Sequence, residues 1–495
     1  MPIMDEPTSL DPQIADSNSE KLVAANCYEG LVRIMADGTI GKGVATDWNI
    51  SDDGLTYTFK LRNNSHWAMF SGHKAVLGEN YEDTFDITVK AEDFKFGIER
   101  TLSEQTGSAD APLFSAVKSI STPDDFTIVF NLSYADDNFL YALTNPGAMP
   151  CDEEFFNLTN GKYGLDAKYL LCNGPFHVSK WTEKTSVKLA KNNEYNGESS
   201  VSPSSVTFYI NNDDSEVADK MNSVTYDVAF LSSSQFSSIE NKKDLNSVAV
   251  QNVTYSFIFN QNDNNYRNKN MRLAFCRSCD TSSLFDSQSD ISKADGIVPP
   301  SCKIGGEDYR NGNAAELLSY DETLAKKNFN DALLELGSSS VETTILCTEQ
   351  YEPFVKQMVQ KLQKTLGVKF VSTVKVVSES DLEAAVNDGN YSVAFYPFKA
   401  KSSFAGEFIE GFDQNNIFGY ESDVLSQKIR NIKNNSGSLE GERSAVADAE
   451  NYLVSEAVIM PVFYENSYFV TSKKTSGIYF YSSADNVCFI NAKKS

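Results

Sequence analysis

The sequence predicts an α/β protein of two lobes joined by two crossing strands, and three observations predict it. The run Thr254, Tyr255, Ser256, Phe257, Ile258, Phe259, Asn260 lies almost midway along 495 residues and alternates in the manner of a strand with at least one buried face. Pro461, Val462, Phe463 and Tyr464 form a second apolar strand near the C-terminus. Between them, from 321 to 398, helical and strand patterns alternate, the rhythm of a mostly parallel, doubly wound lobe. A ligand held between two such lobes is the expectation that follows.

Taken in order, residues 21–31 carry a helical period closed by Gly30, before a short strand at 32–35 and an Asp37-Gly38 turn. Residues 46–51 and 55–61 form a hairpin around Asp52-Asp53-Gly54, with Leu55, Tyr57, Phe59 and Leu61 on one face and Thr56, Thr58 and Lys60 on the other. A helix follows from about 89 to 102, with Phe94, Ile98 and Leu102 in one stripe. Strands are predicted at 126–132, 176–181, 186–190, 206–210 and 228–230, and a helix carries Val217 and Met221. Beyond the central strand come helices at 321–336 (closed by Gly337), 352–366 (closed by Gly367), 381–387 and 440–457, and strands at 341–347, 368–377 and 392–398.

Composition excludes several classes. At about 150 residues per domain the length suggests three domains. The formal net charge of −25, with no Lys/Arg cluster, argues against nucleic acid as a partner. No apolar run approaches the ~20 residues that span a bilayer. The start, Met1-Pro2-Ile3-Met4-Asp5-Glu6, reads as mature protein behind an added methionine. Eight cysteines permit disulfides; Cys151–Cys172 and Cys276 or Cys279 with Cys302 are plausible bridges, and the pairing is not readable from sequence. Cys276-x-x-Cys279 lacks the second close pair of a four-sulfur zinc site. His66, His73 and His177 are the only histidines, and the first two read as solvated loop residues. No nucleophile elbow, phosphate-binding loop or zinc-protease helix occurs, so no catalytic residue, metal site or cofactor is expected.

Several stretches together carry a resemblance. They are Glu6-Pro-Thr-Ser-Leu-Asp-Pro12, Tyr28-Glu29-Gly30-Leu31, and Trp48 with Asp53-Gly54-Leu55-Thr56-Tyr57-Thr58-Phe59-Lys60-Leu61-Arg62. To these add Val89-Lys90-Ala91-Glu92-Asp93-Phe94 running to Glu99-Arg100, Asn173-Gly174-Pro175-Phe176, Met271-Arg272-Leu273-Ala274-Phe275 and Met460-Pro461-Val462-Phe463-Tyr464. In this order, over essentially the whole chain, they resemble the solute-binding proteins of peptide and nickel ABC importers. The resemblance implies a two-lobed periplasmic-binding-protein-like fold with an extra inserted subdomain. Lobe I would comprise 1–44, the inserted subdomain 45–165, then 166–254 and the return 461–495; lobe II would be 255–460. It further implies a secreted or lipid-anchored monomer that captures a short peptide and delivers it to the transmembrane subunits of an ABC permease. A non-peptide ligand (oligosaccharide, metal chelate or haem) is the alternative, and a hydrolase or surface adhesin on the same scaffold is the further one.

The same match nominates ligand-binding residues. Glu6, Pro7, Thr8 and Ser9 would lie along the cleft and lend backbone groups to an extended ligand. Tyr28 and Glu29 would sit beside it, and Trp67, in a loop-like segment, would suit an exposed rim. Phe395, Tyr396 and Phe398 would line pockets, and Tyr464 would stand at the second crossing. Peptide binders of the family place an acid near this aromatic strand to hold the ligand's amino terminus; here Lys399 and Lys401 stand instead. They would repel an ammonium group and attract a carboxylate or carbonyl. Each residue also has a purely structural reading: edge strand, helix end, core aromatic, hinge packing or solvated lysine.

Overall fold

The computed structural model of the protein describes residues 1–495 apart from 36–38, 198–199, 279, 282–289, 401–403, 415–416, 437 and 481–486. The Asp37-Gly38 turn, Cys279 and Lys401 therefore lie outside the described residues. The chain forms two compact units, Met1–Val250 with Ser467–Ser495, and Gln251–Asn466. It passes from the first to the second within strand Leu245–Phe259 and returns within strand Ile459–Ser472.

The first unit holds two four-stranded sheets. In one, Pro2–Ile3 pairs parallel with Ser205–Ile210, which continues antiparallel to Ser186–Lys191 and Phe176–Thr182. In the other, Ala45–Ile50, Thr56–Leu61, Thr127–Leu132 and Val117–Asp124 are antiparallel neighbours in that order. The expected hairpin turn is built by Gly54 at φ 68, with the Asp53 carboxylate accepting from Ser51 Oγ and Leu55 N. Helix Ala91–Leu102 buries Phe94 and Ile98, and Gly97 lies so close to Met149 that a Cβ would stand 2.3 Å from its carbonyl oxygen. One hydrophobic cluster runs through Leu22, Phe59, Phe94, Phe130, Phe176 and Phe489, so the 45–165 segment shares its core with the segments before and after it.

In the second unit Val341–Cys347 lies between Phe370–Val376 and Val393–Lys399, parallel to both. The parallel pairs follow from helical crossovers, Glu352–Leu366 and Glu379–Asn387, that carry the chain back to its starting edge. The crossing strand pairs antiparallel with Val393–Lys399 through Val253–Phe259, so the sheet is mixed rather than mostly parallel. No crossover helix links those two strands directly, and nothing in the alternation pattern dictates their relative direction. One face of the sheet is packed by helices Glu322–Leu336 and Glu352–Leu366 over Phe257, Ile345 and Phe395. The other receives Ala405–Gln414, Asp423–Asn434 and Leu439–Ser455 over Ile258, Leu346 and Ala394. The first of these helices ends as its sequence predicts, with Gly337 left-handed at φ 62.

The described cysteines are free thiols, and all but Cys488 are buried. Cys172 shares a hydrogen bond with Cys27 rather than pairing with Cys151, whose Sγ lies 3.6 Å from Arg100 Nη1. Cys276 and Cys302 belong to the separate clusters on the two faces of the second unit's sheet. Burial pushes Cys151 and Cys276 up to about 12, so neither is expected to react with a thiol reagent at neutral pH. Mass spectrometry after labelling before and after unfolding checks this: both should be modified only in the unfolded protein.

Candidate functional site

In the first unit three of the resembling stretches converge. Helix Asn18–Cys27 starts with a capping box, Ser17 to Glu20, and ends where Tyr28 turns to extended backbone at φ −120. Glu29 follows, and the Asn173 side chain clasps its backbone: Glu29 N donates to Oδ1 at 3.0 Å and Asn173 Nδ2 donates to Glu29 O at 2.8 Å. The Glu29 carboxylate forms an ion pair with Arg62, at the end of the hairpin strand. Its other oxygen accepts from Tyr195 Oη at 3.0 Å. Arg62 is held from behind by its Nη1 donating to Gly43 O at 2.6 Å. Burial, together with the negative charge of Glu29, pushes the Tyr195 phenol well above its ordinary range.

Tyr28, Glu29 and Tyr195 line a pocket of about 250 Å³ within this unit, with Met149 and the C-terminal residues Val487 and Ile490 among its apolar walls. That is below the ~300–1,000 Å³ typical of pockets that enclose a whole small molecule. It suits one substituent of a longer ligand. Tyr28 Oη also meets Tyr163 Oη at 3.3 Å.

The other nominated residues of the first unit are elsewhere. Glu6 accepts from Trp181 Nε1 at 2.9 Å and from Lys184 N at 2.5 Å. Thr8 donates to Glu20 Oε1 through both N, at 2.7 Å, and Oγ1, at 2.8 Å, and Ser9 N donates to the same oxygen at 3.3 Å. Pro7 and Ser9 are buried, Glu6 is half-buried, and Thr8 is the exposed residue of the four. Trp67 is not at an exposed rim: it is 0% exposed in the first unit's hydrophobic cluster, on a segment whose Trp67 N donates to Ile87 O.

His73 is also buried rather than solvated, between Phe70 and Phe155, with Nε2 3.1 Å from Leu170 O. Burial lowers it from 6.5 to about 4, against that hydrogen bond. A histidine depressed in the folded state contributes stability that is fully present above pH 6.5 and is lost as pH falls towards 4. The full span amounts to about 3 kcal/mol. Thermal unfolding of the wild type and of His73→Phe checks it: the wild type should lose more stability than the variant between neutral pH and pH 5.

In the second unit Phe395, Tyr396, Phe398 and Lys399 lie on one strand, Val393–Lys399. Phe395 is 1% exposed and packs with Tyr255, Phe257, Phe354 and Phe463. Tyr396 and Phe398, on the opposite face, are half-buried; Phe398 packs in tilted contact with Phe412 and Phe418. Lys399 is exposed. Tyr464 is 3% exposed, and its hydroxyl accepts from Asp295 N at 3.1 Å and lies 3.3 Å from Gly296 O. It serves the packing of its own unit.

The structure thus brings together Tyr28 and Glu29 and adds Arg62, Tyr195 and Met149, which were not nominated. Among the described residues no group of histidine, cysteine and carboxylate side chains could hold a metal ion, and no helix is long and apolar enough to cross a membrane. Beside the apolar walls stands a carboxylate paired with an arginine and hydrogen-bonded to a phenol.

The family of the chain follows from its similarity to known proteins. The chain belongs to the bacterial extracellular solute-binding proteins, family 5, whose middle region it matches over residues 39–419. It is 24% identical over 496 residues to the dipeptide-binding protein DppE of Bacillus subtilis, spanning 96% of this chain and 88% of that protein. It is likewise 24% identical over 502 residues to the oligopeptide-binding protein OppA of the same organism, spanning 96% and 89%. Among solved structures, a dipeptide-binding protein from Pseudoalteromonas sp. SM9913 in complex with Met-Leu superposes with a TM-score of 0.78 at 18% identity, covering 100% of this chain and 99% of that one. Listeria monocytogenes OppA bound to peptide gives 0.74 at 21%, covering 98% and 97%. The periplasmic-binding-protein fold that the resemblance implied is therefore the fold of this chain.

Proposed function

We propose that this chain is the solute-binding component of an ABC importer, that it captures a short peptide, and that it passes the peptide to the transmembrane subunits of a permease. The observation that carries the reading is the pocket at Tyr28 and Glu29, sized for one side chain and set in a chain of this family. The relatives named for dipeptides and oligopeptides support peptide over an oligosaccharide, a metal chelate or haem. Tyr28 and Glu29 form the wall that meets the ligand in the first unit. Lys399 is exposed and meets it with its charge, and Tyr396 and Phe398 with an aromatic face; the N–H and hydroxyl of Thr8 are held by Glu20. Phe395, Trp67 and Tyr464 hold their own units together. The protein works as a monomer outside the cytoplasmic membrane, secreted or tethered by a lipid, and leaves its ligand chemically intact. Ligand binding favours one conformation by differential affinity, and the permease reads that conformation.

A thermal-shift screen tests the reading. Pooled di- to pentapeptides at a hundredfold excess over Kd should raise Tm by a few degrees, since binding at that excess is worth about 2.7 kcal/mol. Oligosaccharides, nickel chelates and haem should leave Tm unchanged. A shift with one of those and none with peptides overturns the ligand. Recovered peptide of altered mass overturns the non-enzymatic role.

A further inference from the structure

The two stretches that meet at Glu29 carry a cysteine each, Cys27 at the end of helix Asn18–Cys27 and Cys172 just before Asn173. Their backbones run in direct contact. Gly174 N donates to Cys27 O at 2.9 Å, and a Cβ on Gly174 would stand 2.6 Å from Tyr28 N, an approach that only glycine allows. The Asn173 clasp on the Glu29 backbone adds bonds of 3.0 and 2.8 Å, and Cys172 O accepts from Ala68 N at 2.7 Å. Within this frame the two side chains meet. The thiols share a hydrogen bond, and both lie in the first unit's hydrophobic cluster, Cys27 at 0% and Cys172 at 1% exposure. Cys151, in the same cluster, faces Arg100 Nη1 at 3.6 Å instead.

From this we infer that Cys27 and Cys172 are a disulfide-forming pair, which on oxidation staples the Tyr28–Glu29 segment to the segment that clasps it. The oxidant is a low-molecular-weight disulfide. One thiolate of the pair attacks a sulfur of that disulfide, forming a mixed disulfide and releasing one small thiol. The second thiolate attacks the protein sulfur of the mixed disulfide, closing the Cys27–Cys172 bond and releasing the second small thiol. The protein thus gives up two electrons and two protons, and the oxidant leaves as two thiols. Burial holds the Cys27 thiol well above its ordinary range, so the exchange belongs to folding, before the cluster closes over the pair. Extracellular families such as this one fold where oxidants of this class persist. The two positions are far apart in the sequence, so the bond restricts the unfolded chain and stabilises the folded one. The pairing does not depend on which ligand the protein carries.

Refolding of the full chain tests it. The protein is reduced and unfolded, refolded with either oxidised or reduced glutathione, alkylated in denaturant and mapped by mass spectrometry after digestion. With oxidised glutathione the expected product is a pair of peptides joined through Cys27 and Cys172, lighter by two hydrogen atoms than the two peptides apart, with Cys151 alkylated. The oxidised protein should melt about 5 °C or more above the reduced one. Cys27→Ala and Cys172→Ala should each abolish both the linked pair and the difference in Tm, and the wild-type peptide map decides the pairing by itself if either variant does not fold. Cys27 and Cys172 both alkylated after refolding with oxidised glutathione, or Cys172 joined to Cys151, overturns the pair. A linked pair with no rise in Tm overturns the staple.

Discussion

Glu450→Ala is expected to destabilise the Gln251–Asn466 unit by about 3–5 kcal/mol. Glu450 projects from helix Leu439–Ser455 at 1% exposure and gathers five donors. Ile297 N donates to it at 2.6 Å, Val298 N at 2.9 Å, Tyr309 Oη at 3.1 Å and Arg310 Nη1 at 2.9 Å, with Arg310 Nη2 completing the ion pair. Truncation would leave two backbone N–H groups unmet and the Arg310 guanidinium buried without its carboxylate. The cost comes from those orphaned groups and not from the net worth of the pair. Tyr464 belongs to the same assembly, since its hydroxyl lies 3.4 Å from Val298 O. Glu450→Gln, which keeps the shape and some acceptors, should cost less. Urea unfolding followed through the second unit checks both: a midpoint within error of wild type for Glu450→Ala would show that the network bears no stability.

Arg100→Ala should cost the first unit a comparable amount, about 3 kcal/mol or more. Its guanidinium grips Asp11 with two bonds, Nη2 to Oδ2 at 2.6 Å and Nη1 to Oδ1 at 3.2 Å, and reaches Gln13 Oε1 at 2.6 Å. The cation also lies 4.1 Å from the centre of the Phe156 ring. Asp11 in turn caps the short helix Pro12–Ile14 by accepting from Gln13 N. Loss of Arg100 strands a carboxylate that is 3% exposed and loosens that cap. Lysine should recover less than half of the loss, because a point charge can neither fork onto Asp11 nor stack on Phe156. Full recovery in Arg100→Lys, measured by urea unfolding of the first unit, would reduce the interaction to simple charge pairing.

Both examples mark where sequence reading succeeds and where it stops. Period and punctuation were legible. The hairpin around Gly54, helix Glu322–Leu336 closed by Gly337 and strand Val341–Cys347 are set by local alternation and by glycine at left-handed positions. The crossing strand was seen only from 254, although it begins at Leu245, because its first part is mostly exposed and carries no apolar alternation. Helices Ala405–Gln414 and Asp423–Asn434 are absent from the sequence reading, although Leu425, Ile429 and Ile432 hold a helical period in the second. Asp11 and Arg100 each sat in a quoted stretch, but their pairing spans 89 residues and has no local signature.

The candidate site divides in the same way. Tyr28 and Glu29 could be nominated from their motif. Arg62 could not be assigned to Glu29, nor Tyr195 to either, because the partners lie 33 and 166 residues away from the acid. Trp67 illustrates the opposite failure: a loop-like neighbourhood suggests exposure, whereas the indole packs in the first unit's hydrophobic cluster. Sequence supplies the chemistry of a wall; folding decides which charges on it are already spent.

Native mass spectrometry of the purified protein, followed by denaturing release of whatever it carries, tests peptide capture most directly. The account predicts adducts that resolve into short peptides of unaltered mass. A single non-peptide mass, or protein that stays free of adduct when mixed with a peptide pool, would contradict it.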